Sequence, residues 1–419
     1  MRSNSALSNA SQAPATRSTG LRPRGSNQGG VRQYNERVVL QTIRLHGPLP
    51  KAELARITHL SAQAVSLIID RLAAEDLVIK LPPVRDGRVG QPSVPIALNP
   101  DGAFAVGVKV GRRSLDALLV DFTGTVRQRH SLSYTWPHPE QLFVEVARLV
   151  ETLQLDLLEI GEHLAPRLQG VGVASPFFLG GWQTLLGMPE DQAQRWAALD
   201  IAAQMQRVTP LPVHFVKDTS AACVAELVAG CGRDVPSFLY VFVDTFIGGG
   251  LVIDGRLQMG HRGNAGAIGS LPLALATKQT QPAQLLNTAS LQNLEERFQA
   301  HGLDARAAYD ERALQAPWAT HSQAWVEQTA LGIAMAVNAS ASMLDLQGVI
   351  IDGSFCRGLH QQLVEAVRQA LPHYPWDGIY QPEVIPGTIG SDARAIGGAL
   401  MPLYANFAPD SELFLKLAA

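Results

Sequence analysis

The segment between Tyr34 and Leu98 constrains the fold more than any other part of the chain. It holds three short helical periodicities followed by two strand-like ones. The predicted helices span about 34–45, 51–58 and a segment that begins after Ser61, whose hydroxyl is suited to cap a first turn. The third helix places apolar side chains on one face, at Val65, Ile68, Ile69 and Leu72. With a basic turn between them, strands are predicted at 77–80 and 93–98. The order helix, helix, turn, helix and two-stranded wing is that of a winged helix-turn-helix module.

Charge is distributed unevenly along the chain. Residues 1–98 hold 13 Lys and Arg against 6 Asp and Glu, a net charge of +7, whereas the remainder holds 21 basic and 31 acidic residues, a net charge of −10. A basic module attached to an acidic body indicates a polyanionic partner for the N-terminal part alone. The alternative for the charge is that the arginines of the tail merely keep the tail solvated. The alternative for the fold is a winged helix that makes only protein contacts.

The predicted third helix has side chains suited to contacting base edges. In a helix-turn-helix, the N-terminal residues of this helix enter the major groove. Gln63 can form two hydrogen bonds with adenine, and Ser66 can reach a base or a phosphate. Lys51 and Arg71 are placed for phosphate, as is the wing tip. The predicted DNA-binding residues are Lys51, Ser61, Ala62, Gln63, Ala64, Ser66, Arg71, Arg85, Arg88 and Gln91.

Beyond residue 99 strands alternate with helices, which indicates an α/β body. A β-hairpin is predicted over 104–122, and further strands at 168–174, 213–216, 238–243, 250–253 and 349–351. Residues 1–30 are rich in small and polar residues and nearly lack large apolar ones, which predicts disorder. We therefore expect a disordered tail over 1–30, a winged helix-turn-helix over 31–98 and an effector and dimerisation domain over 99–419.

Signals for a membrane or an oxidising compartment are missing from the sequence. No apolar stretch reaches the roughly 18 residues that a membrane span requires, and the first 30 residues have no apolar signal core. The three cysteines, Cys223, Cys231 and Cys356, lack the paired spacing of a disulfide framework or a zinc site. The sequence therefore predicts a cytoplasmic protein.

Several motifs resemble those of the ROK family, which comprises repressors and sugar kinases. The matching segments are 46–55, 60–66, 90–93, 212–222, 248–269 and 350–354. They occur in the order of the family between about residues 33 and 405. The resemblance implies a winged helix joined to a two-lobed, actin-like α/β body, α+β overall. It also implies a transcription regulator of carbohydrate-related genes, with repression as the family's expectation and activation left open.

The segment Lys109–Arg113 departs from the family where its kinases bind ATP. Those kinases have an Asp-x-Gly-Gly-Thr loop, whose backbone N–H groups hold phosphate and whose Asp helps to hold Mg²⁺. Lys109 cannot ligate a cation while it is charged, and Arg112 and Arg113 replace small residues. We therefore expect no kinase activity and no cofactor.

The resemblance also implies a ligand cleft, which is altered here. Asp218 matches the family's base, which accepts a proton from a sugar hydroxyl, but Lys217 stands where the family has Asn. The family's Glu-x-Gly-His motif is replaced by residues 267–270, so two polar anchors are missing. Residues 271–300 hold no Cys or His, so we expect no structural zinc. The predicted ligand-binding residues are Lys217, Asp218, Asn264 and Ser270.

Three partners follow from these expectations. They are a double-stranded DNA operator, a sugar or sugar derivative as effector, and at least one further copy of the chain in a homodimer or tetramer. A dimer is expected because two recognition helices about 34 Å apart are needed to contact a palindromic operator. Two alternatives stay open: a ligand-blind DNA-binding dimer, and an active sugar kinase with an accessory DNA module.

Overall fold

A winged helix-turn-helix forms the first part of the computed structural model, which describes residues 28–84, 93–176 and 187–409. Its elements are α1 (Gln28–His46), β1 (Leu49–Pro50), α2 (Lys51–Thr58), α3 (Ala62–Ala74), β2 (Val78–Lys80) and β3 (Pro95–Leu98). Helix α3 starts where the Ser61 hydroxyl accepts a hydrogen bond from the Ala64 amide at 3.1 Å. The turn before it contains His59 in the left-handed conformation. The four predicted apolar residues of α3 are all buried.

Two details of this module differ from the sequence prediction. The sheet has three strands in the order β1-β3-β2, because Leu49 pairs with Ile96 in an antiparallel bridge. A two-residue strand has no periodicity of its own, so the sequence could not reveal it. Helix α1 begins at Gln28, so residues 28–30 are helical although the predicted tail included them. The rest of that predicted tail lies outside the described residues.

The first lobe of the body is a five-stranded sheet with helices around it. Its elements are β4 (Phe104–Val110), β5 (Ser114–Asp121), β6 (Val126–Ser133), α4 (Pro139–Ile160), β7 (Leu168–Ser175), α5 (Glu190–Ala198), α6 (Ile201–Met205), β8 (Val213–Lys217) and α7 (Asp218–Ala229). The strand order is β6-β5-β4-β7-β8, antiparallel up to β4 and parallel from β4 to β8. Every residue of β4 is buried, as expected for a strand in a sheet covered on both faces.

The second lobe repeats this topology. Its elements are β9 (Phe238–Val243), β10 (Gly248–Ile253), β11 (Arg256–Gln258), α8 (Leu286–Ala289), α9 (Leu291–Ala300), α10 (Ala319–Leu344), β12 (Gly348–Gly353), α11 (Arg357–Ala370), β13 (Glu383–Pro386) and α12 (Ala393–Phe407). The strand order β11-β10-β9-β12-β13 has the same pattern of three antiparallel strands followed by two parallel ones. The repeat confirms the predicted two-lobed α/β body.

Helices α7 and α12, which follow the last strand of each lobe, pack against each other between the sheets. Their backbones are close enough that glycine is required. A Cβ on Gly397 of α12 would lie 1.7 Å from the carbonyl oxygen of Ala221 in α7. Likewise, a Cβ on Gly172 of β7 would lie 1.7 Å from the carbonyl oxygen of Gly398. Helix α12 is therefore tightly fitted to both α7 and the first sheet.

The winged helix packs directly on the body through α1. The Arg44 guanidinium donates a hydrogen bond to the Phe122 carbonyl oxygen at 2.7 Å and lies over the Phe122 and Tyr404 rings. Apolar residues of the winged helix, including Ile43, belong to the same buried cluster as Phe122. The predicted domain boundary lies between residues 98 and 99. Along this contact, however, the winged helix and the body share one buried core with no solvent between them. Within the described ranges, no helix is both long and apolar enough to cross a membrane.

Candidate DNA-binding surface and ligand cleft

The N-terminal end of α3 presents the predicted base-contacting residues to solvent. Ser61, Ala62 and Gln63 are exposed, and Ala64 and Ser66 are half-buried. Because the Ser61 side chain is held by the Ala64 amide, the first turn is fixed and the exposed Gln63 amide projects from a rigid helix. This arrangement is suited to a side chain that must pair with a base edge.

Lys51 contacts the same face of α3 from the start of α2. Its ammonium lies 2.9 Å from Ser66 Oγ and 3.5 Å from Asp70 Oδ1. The structure therefore brings together Lys51 and Ser66, which the sequence suggested as separate contacts. It also reveals Asp70, a carboxylate on the outward face that would repel phosphate if Lys51 did not offset its charge.

Arg71 is held by the first helix. Its Nε donates to the Glu36 carboxylate at 2.8 Å, and both side chains are partly exposed. Exposed pairs of this kind contribute only about 0.2–1 kcal/mol, so a DNA phosphate could replace Glu36 as the partner of Arg71.

The two described ends of the wing are joined by one backbone bridge. Val84 and Ser93 form an isolated antiparallel bridge with N–O distances of 2.9 and 3.1 Å. The three predicted wing residues, Arg85, Arg88 and Gln91, lie outside the described residues.

An apolar depression of about 370 Å³, which was not predicted, lies between α1 and α3. Its lining is Val31, Arg32, Asn35, Ala64, Leu67, Ile68 and Arg71. Leu67 is 56% exposed, on the same outward face as Gln63 and Ser66. An exposed leucine beside hydrogen-bonding side chains is suited to contact with a thymine methyl group.

In the body, three parallel strands end at one edge of the first sheet. Lys109 of β4 is level with Ala174 of β7, and Ser175 with Lys217 of β8. Arg112 follows β4, and Asp218 follows β8, at this edge. In open α/β sheets, ligands bind outside the carboxyl ends of the parallel strands.

Lys109 is satisfied within its own hairpin. Its ammonium lies 2.6 Å from Ser114 Oγ and 3.0 Å from Asp116 Oδ2. Burial lowers the pKa of Lys109, and the Asp116 carboxylate opposes that effect. The Lys109 ammonium is therefore held by a carboxylate of the neighbouring strand.

Two arginines extend from the β4–β5 turn to the second lobe. The guanidinium of Arg113 is paired with the buried carboxylate of Glu295 in α9. The guanidinium of Arg112 lies 4.6 Å from the ring centroid of Phe246, which follows β9. The two lobes are thus joined across the cleft by an ion pair and a cation–π contact.

A further ion pair lies deeper, between Arg394 at the start of α12 and Asp244 at the end of β9. Arg394 also donates to Ser354 Oγ at 3.2 Å. Burial alone would raise the pKa of Asp244, but the charges of Arg394 and Lys109 hold it below its ordinary value. Asp244, Phe246, Glu295 and Arg394 were not among the predicted site residues. For Arg394 the sequence does contain a signal, since a charged residue stands between small apolar ones in Ala393-Arg394-Ala395.

Of the four predicted ligand residues, only Lys217 and Asp218 are buried, at 8% and 7% exposure. Asp218 Oδ1 accepts a hydrogen bond from the Thr219 amide at 2.8 Å. The Lys217 ammonium is buried and donates to no acceptor within the described part of the chain. Asn264 and Ser270 are exposed in the second lobe, and neither is hydrogen-bonded to Lys217 or Asp218.

A metal site is not evident in the described ranges, 28–84, 93–176 and 187–409. They contain no group of three or more His, Cys, Asp or Glu side chains that could hold an ion. The expectation that residues 271–300 lack zinc stays a prediction.

Comparison with known sequences identifies the same two parts. The ROK family profile matches residues 105–403, and the MarR family profile matches residues 34–89. The xylose repressor of Bacillus subtilis is 24% identical over 251 residues, which cover 59% of this chain and 62% of the repressor. The DNA-binding transcriptional dual regulator NagC of Escherichia coli is 24% identical over 261 residues, 60% of this chain and 61% of NagC. The chain thus spans about three-fifths of each of these relatives.

Comparison with solved structures supports the fold over nearly the whole chain. A ROK family transcriptional regulator, described as a homologue of the E. coli MLC protein, superposes with a TM-score of 0.61 at 20% identity. The match covers 90% of this chain and 97% of that regulator. At this identity, the likeness concerns the arrangement of winged helix and two-lobed body.

Proposed function

This chain belongs to the ROK family, and on that premise we propose that it is a sequence-specific DNA-binding regulator of carbohydrate-related genes. In its simplest form, the chain is a repressor, and a sugar-like ligand bound in a non-catalytic cleft relieves the repression. The names of its relatives, a xylose repressor and NagC, support it. The observation that carries it is the Ser61-capped end of α3, which presents Gln63 on a winged helix packed against the two-lobed body.

On this proposal the DNA contacts divide into two classes. Gln63, Ala62, Ala64 and Ser66 contact base edges, while Ser61, Lys51 and Arg71 fix the module on the phosphate backbone. Arg85, Arg88 and Gln91 of the wing contact the backbone or the minor groove. Because Lys51 already lies 2.9 Å from Ser66 Oγ, a phosphate bound by Lys51 would also orient the Ser66 hydroxyl.

We propose further that the cleft does not transfer phosphate. The positions that resemble the kinases' phosphate loop are filled by charged side chains that are paired within the protein. Lys109 is held by Asp116, and Arg113 by Glu295. An ATP phosphate would have to break both pairs, and no carboxylate stands at position 109 to hold Mg²⁺. Asp218 then serves as a hydrogen-bond acceptor for a ligand hydroxyl.

The packing offers a path from the cleft to the winged helix. Lys217 is the N-cap of α7 and Asp218 its first residue, and α7 touches α12 through Ala221 and Gly397. The far end of α12 places Tyr404 beneath Arg44 of α1. We propose that a ligand that moves the lobes shifts α12 and thereby reorients the winged helix. Its effect is limited to its difference in affinity between the two arrangements.

We also propose that the regulator is a homodimer, because a palindromic operator requires two recognition helices about one helical turn of DNA apart. Closure of the lobes in each subunit would change that separation. This would alter operator affinity without any change in the bases contacted.

The proposal is tested by selecting bound fragments from random double-stranded DNA with the purified full-length protein at near-physiological salt. We expect a palindromic site with half-sites one or two helical turns apart. A pool without a preferred sequence contradicts the proposal.

Two measurements address the alternatives. A coupled ATP-turnover assay with a panel of sugars would support an active kinase if turnover appeared. Thermal unfolding against sugars, polyols and sugar phosphates addresses the ligand-blind dimer, since a ligand that binds only the folded state raises the midpoint by mass action. If nothing in that panel changes the midpoint while a palindrome is recovered, the ligand-blind dimer is favoured.

A further inference from the structure

Charged side chains from both lobes lie where the ends of the strands face each other. Nine of them, here named the cleft cluster, are Lys109, Arg112, Arg113, Lys217 and Arg394, with Asp116, Asp218, Asp244 and Glu295. Three of the cations are paired with three of the carboxylates. Arg112, Lys217 and Asp218 are left, so the cluster has one positive charge in excess.

Of the two remaining cations, Lys217 is the one whose burial is energetically less favourable. It ends β8, is 92% buried, and its ammonium donates to no acceptor among the described residues. The adjacent Thr219 hydroxyl is also buried and without a hydrogen-bond partner in the described part of the chain. Lys217 and Thr219 are thus two unsatisfied donors on either side of Asp218, at the carboxyl ends of the parallel strands. They indicate that a group that accepts hydrogen bonds binds there.

Arg112 lies in the turn after β4 and is attracted by the Asp218 carboxylate. One face of its guanidinium lies on the Phe246 ring, and its buried Nε donates to no described acceptor. Asp218 attracts Arg112 as well as Lys217, although neither is hydrogen-bonded to it. Strands β4 and β8 are separated by β7 alone, so they lie about 10 Å apart. The side chains of Arg112 and Lys217 are long enough to reach one bound group between them.

We propose that the effector is a monosaccharide-sized polyol bearing one acidic group, a sugar acid or a sugar phosphate, whose anion is bound by Lys217 and Arg112. The Thr219 hydroxyl donates a third hydrogen bond, and Asp218 accepts from a ligand hydroxyl. The anion neutralises the excess charge of the cleft cluster and satisfies donors that are buried in its absence. This inference rests on the proposed function, in which the cleft binds a sugar-like effector.

The test compares matched ligands by thermal unfolding and isothermal titration of the full-length protein. The pairs are D-glucuronate with D-glucose and D-galacturonate with D-galactose, and D-glucose 6-phosphate distinguishes a phosphate from a carboxylate. Potassium chloride and sulfate at matched ionic strength show the effect of unspecific anions. At least one acidic ligand should bind about 10- to 100-fold more tightly than its neutral partner, the usual strength of hydrogen bonds to a charged group.

Variants show which residues bind the anion. Lys217→Met and Arg112→Met should each remove most of the preference for the acid and leave the neutral sugar unaffected. Lys80→Met, on the exposed face of β2, is the matched control and should keep the full preference. Because both cleft variants remove a buried donor without a partner, neither is expected to unfold the protein.

Equal binding of acids and neutral sugars, or an acid preference that survives Lys217→Met, overturns the inference. The proposed function is tested separately by the operator selection. A recovered palindrome with no acid preference refutes only the anion site. An acid preference without DNA binding refutes the proposed function and leaves the anion site supported.

Discussion

Arg394 and Tyr404 lie at opposite ends of one buried helix, α12, and contact different parts of the molecule. Arg394 is paired with Asp244 in the cleft, whereas the Tyr404 ring lies 5.7 Å from the Arg44 guanidinium of the winged helix. Ten residues of helix place them about 15 Å apart. The helix is fitted to its neighbours through glycine, so a displacement at one end is expected to reach the other.

The docking of the winged helix on the body depends on Arg44. Arg44→Met removes the hydrogen bond to the Phe122 carbonyl and the contact with two rings, which should lower the free energy of unfolding by about 1.5–3 kcal/mol. Urea denaturation measures the change. Arg56→Met is the control, because Arg56 is exposed and its ion pair with Glu53 is screened by water, so a much smaller loss is expected. Equal losses in both variants would show that the contact with the body is unimportant.

The close fit of α12 predicts intolerance at Gly397. Gly397→Ala places a methyl group 1.7 Å from the Ala221 carbonyl oxygen, so the two helices must separate and the thermal midpoint should fall steeply. Gly332→Ala in α10 is the control, since its nearest neighbour is the flexible end of Leu285 at 2.8 Å and alanine favours a helix. A Gly397→Ala protein as stable as the wild type would contradict the backbone contact between α7 and α12.

The buried ammonium of Lys217 predicts a pH-dependent cost. Burial lowers the pKa of Lys217 below its ordinary 10.5, so between the folded and unfolded pKa values the unfolded chain binds more protons and stability rises with pH. Lys217→Met should therefore stabilise the ligand-free protein at pH 7, by about 1–3 kcal/mol, the cost of an unsatisfied buried group. The gain should shrink as the pH approaches 10.5. Denaturation at pH 7 and pH 10 measures it, and a destabilised Lys217→Met protein would mean that the ammonium has a partner.

Base contacts and phosphate contacts predict different responses of DNA binding. Gln63→Ala should relax the preference at one base pair and cost about 1–3 kcal/mol on the preferred site only. Arg88→Ala should weaken binding similarly on all sequences and reduce the slope of log affinity against log salt by about 1. Repeating the fragment selection and the salt titration with both variants distinguishes them. An unchanged sequence preference for Gln63→Ala would show that another face of α3 contacts the bases.

Local patterns predicted elements whose boundaries depend on nearby residues. Helix α2 and strand β9 have the predicted bounds, 51–58 and 238–243, because Pro50 and runs of apolar residues mark them in the sequence. Strand β1 escaped prediction because its two residues are ordered only by pairing with β3.

The cleft was predicted less completely, for the same physical reason. Lys217 and Asp218 are adjacent in sequence and could be recognised as a motif. Arg113 and Glu295 are 182 residues apart, and nothing local indicates that they pair. The contact between Arg44 and Phe122 likewise exists only after the winged helix has docked on the body.

The measurement that tests the central claim most directly is the ratio of two affinities. The full-length protein is titrated against the selected operator and against the same duplex with both half-sites scrambled, at near-physiological salt. Sequence-specific regulators bind their sites at least about 10³-fold more tightly than unrelated DNA. We predict a ratio of that order, and a ratio near one would show that the winged helix binds DNA by charge alone.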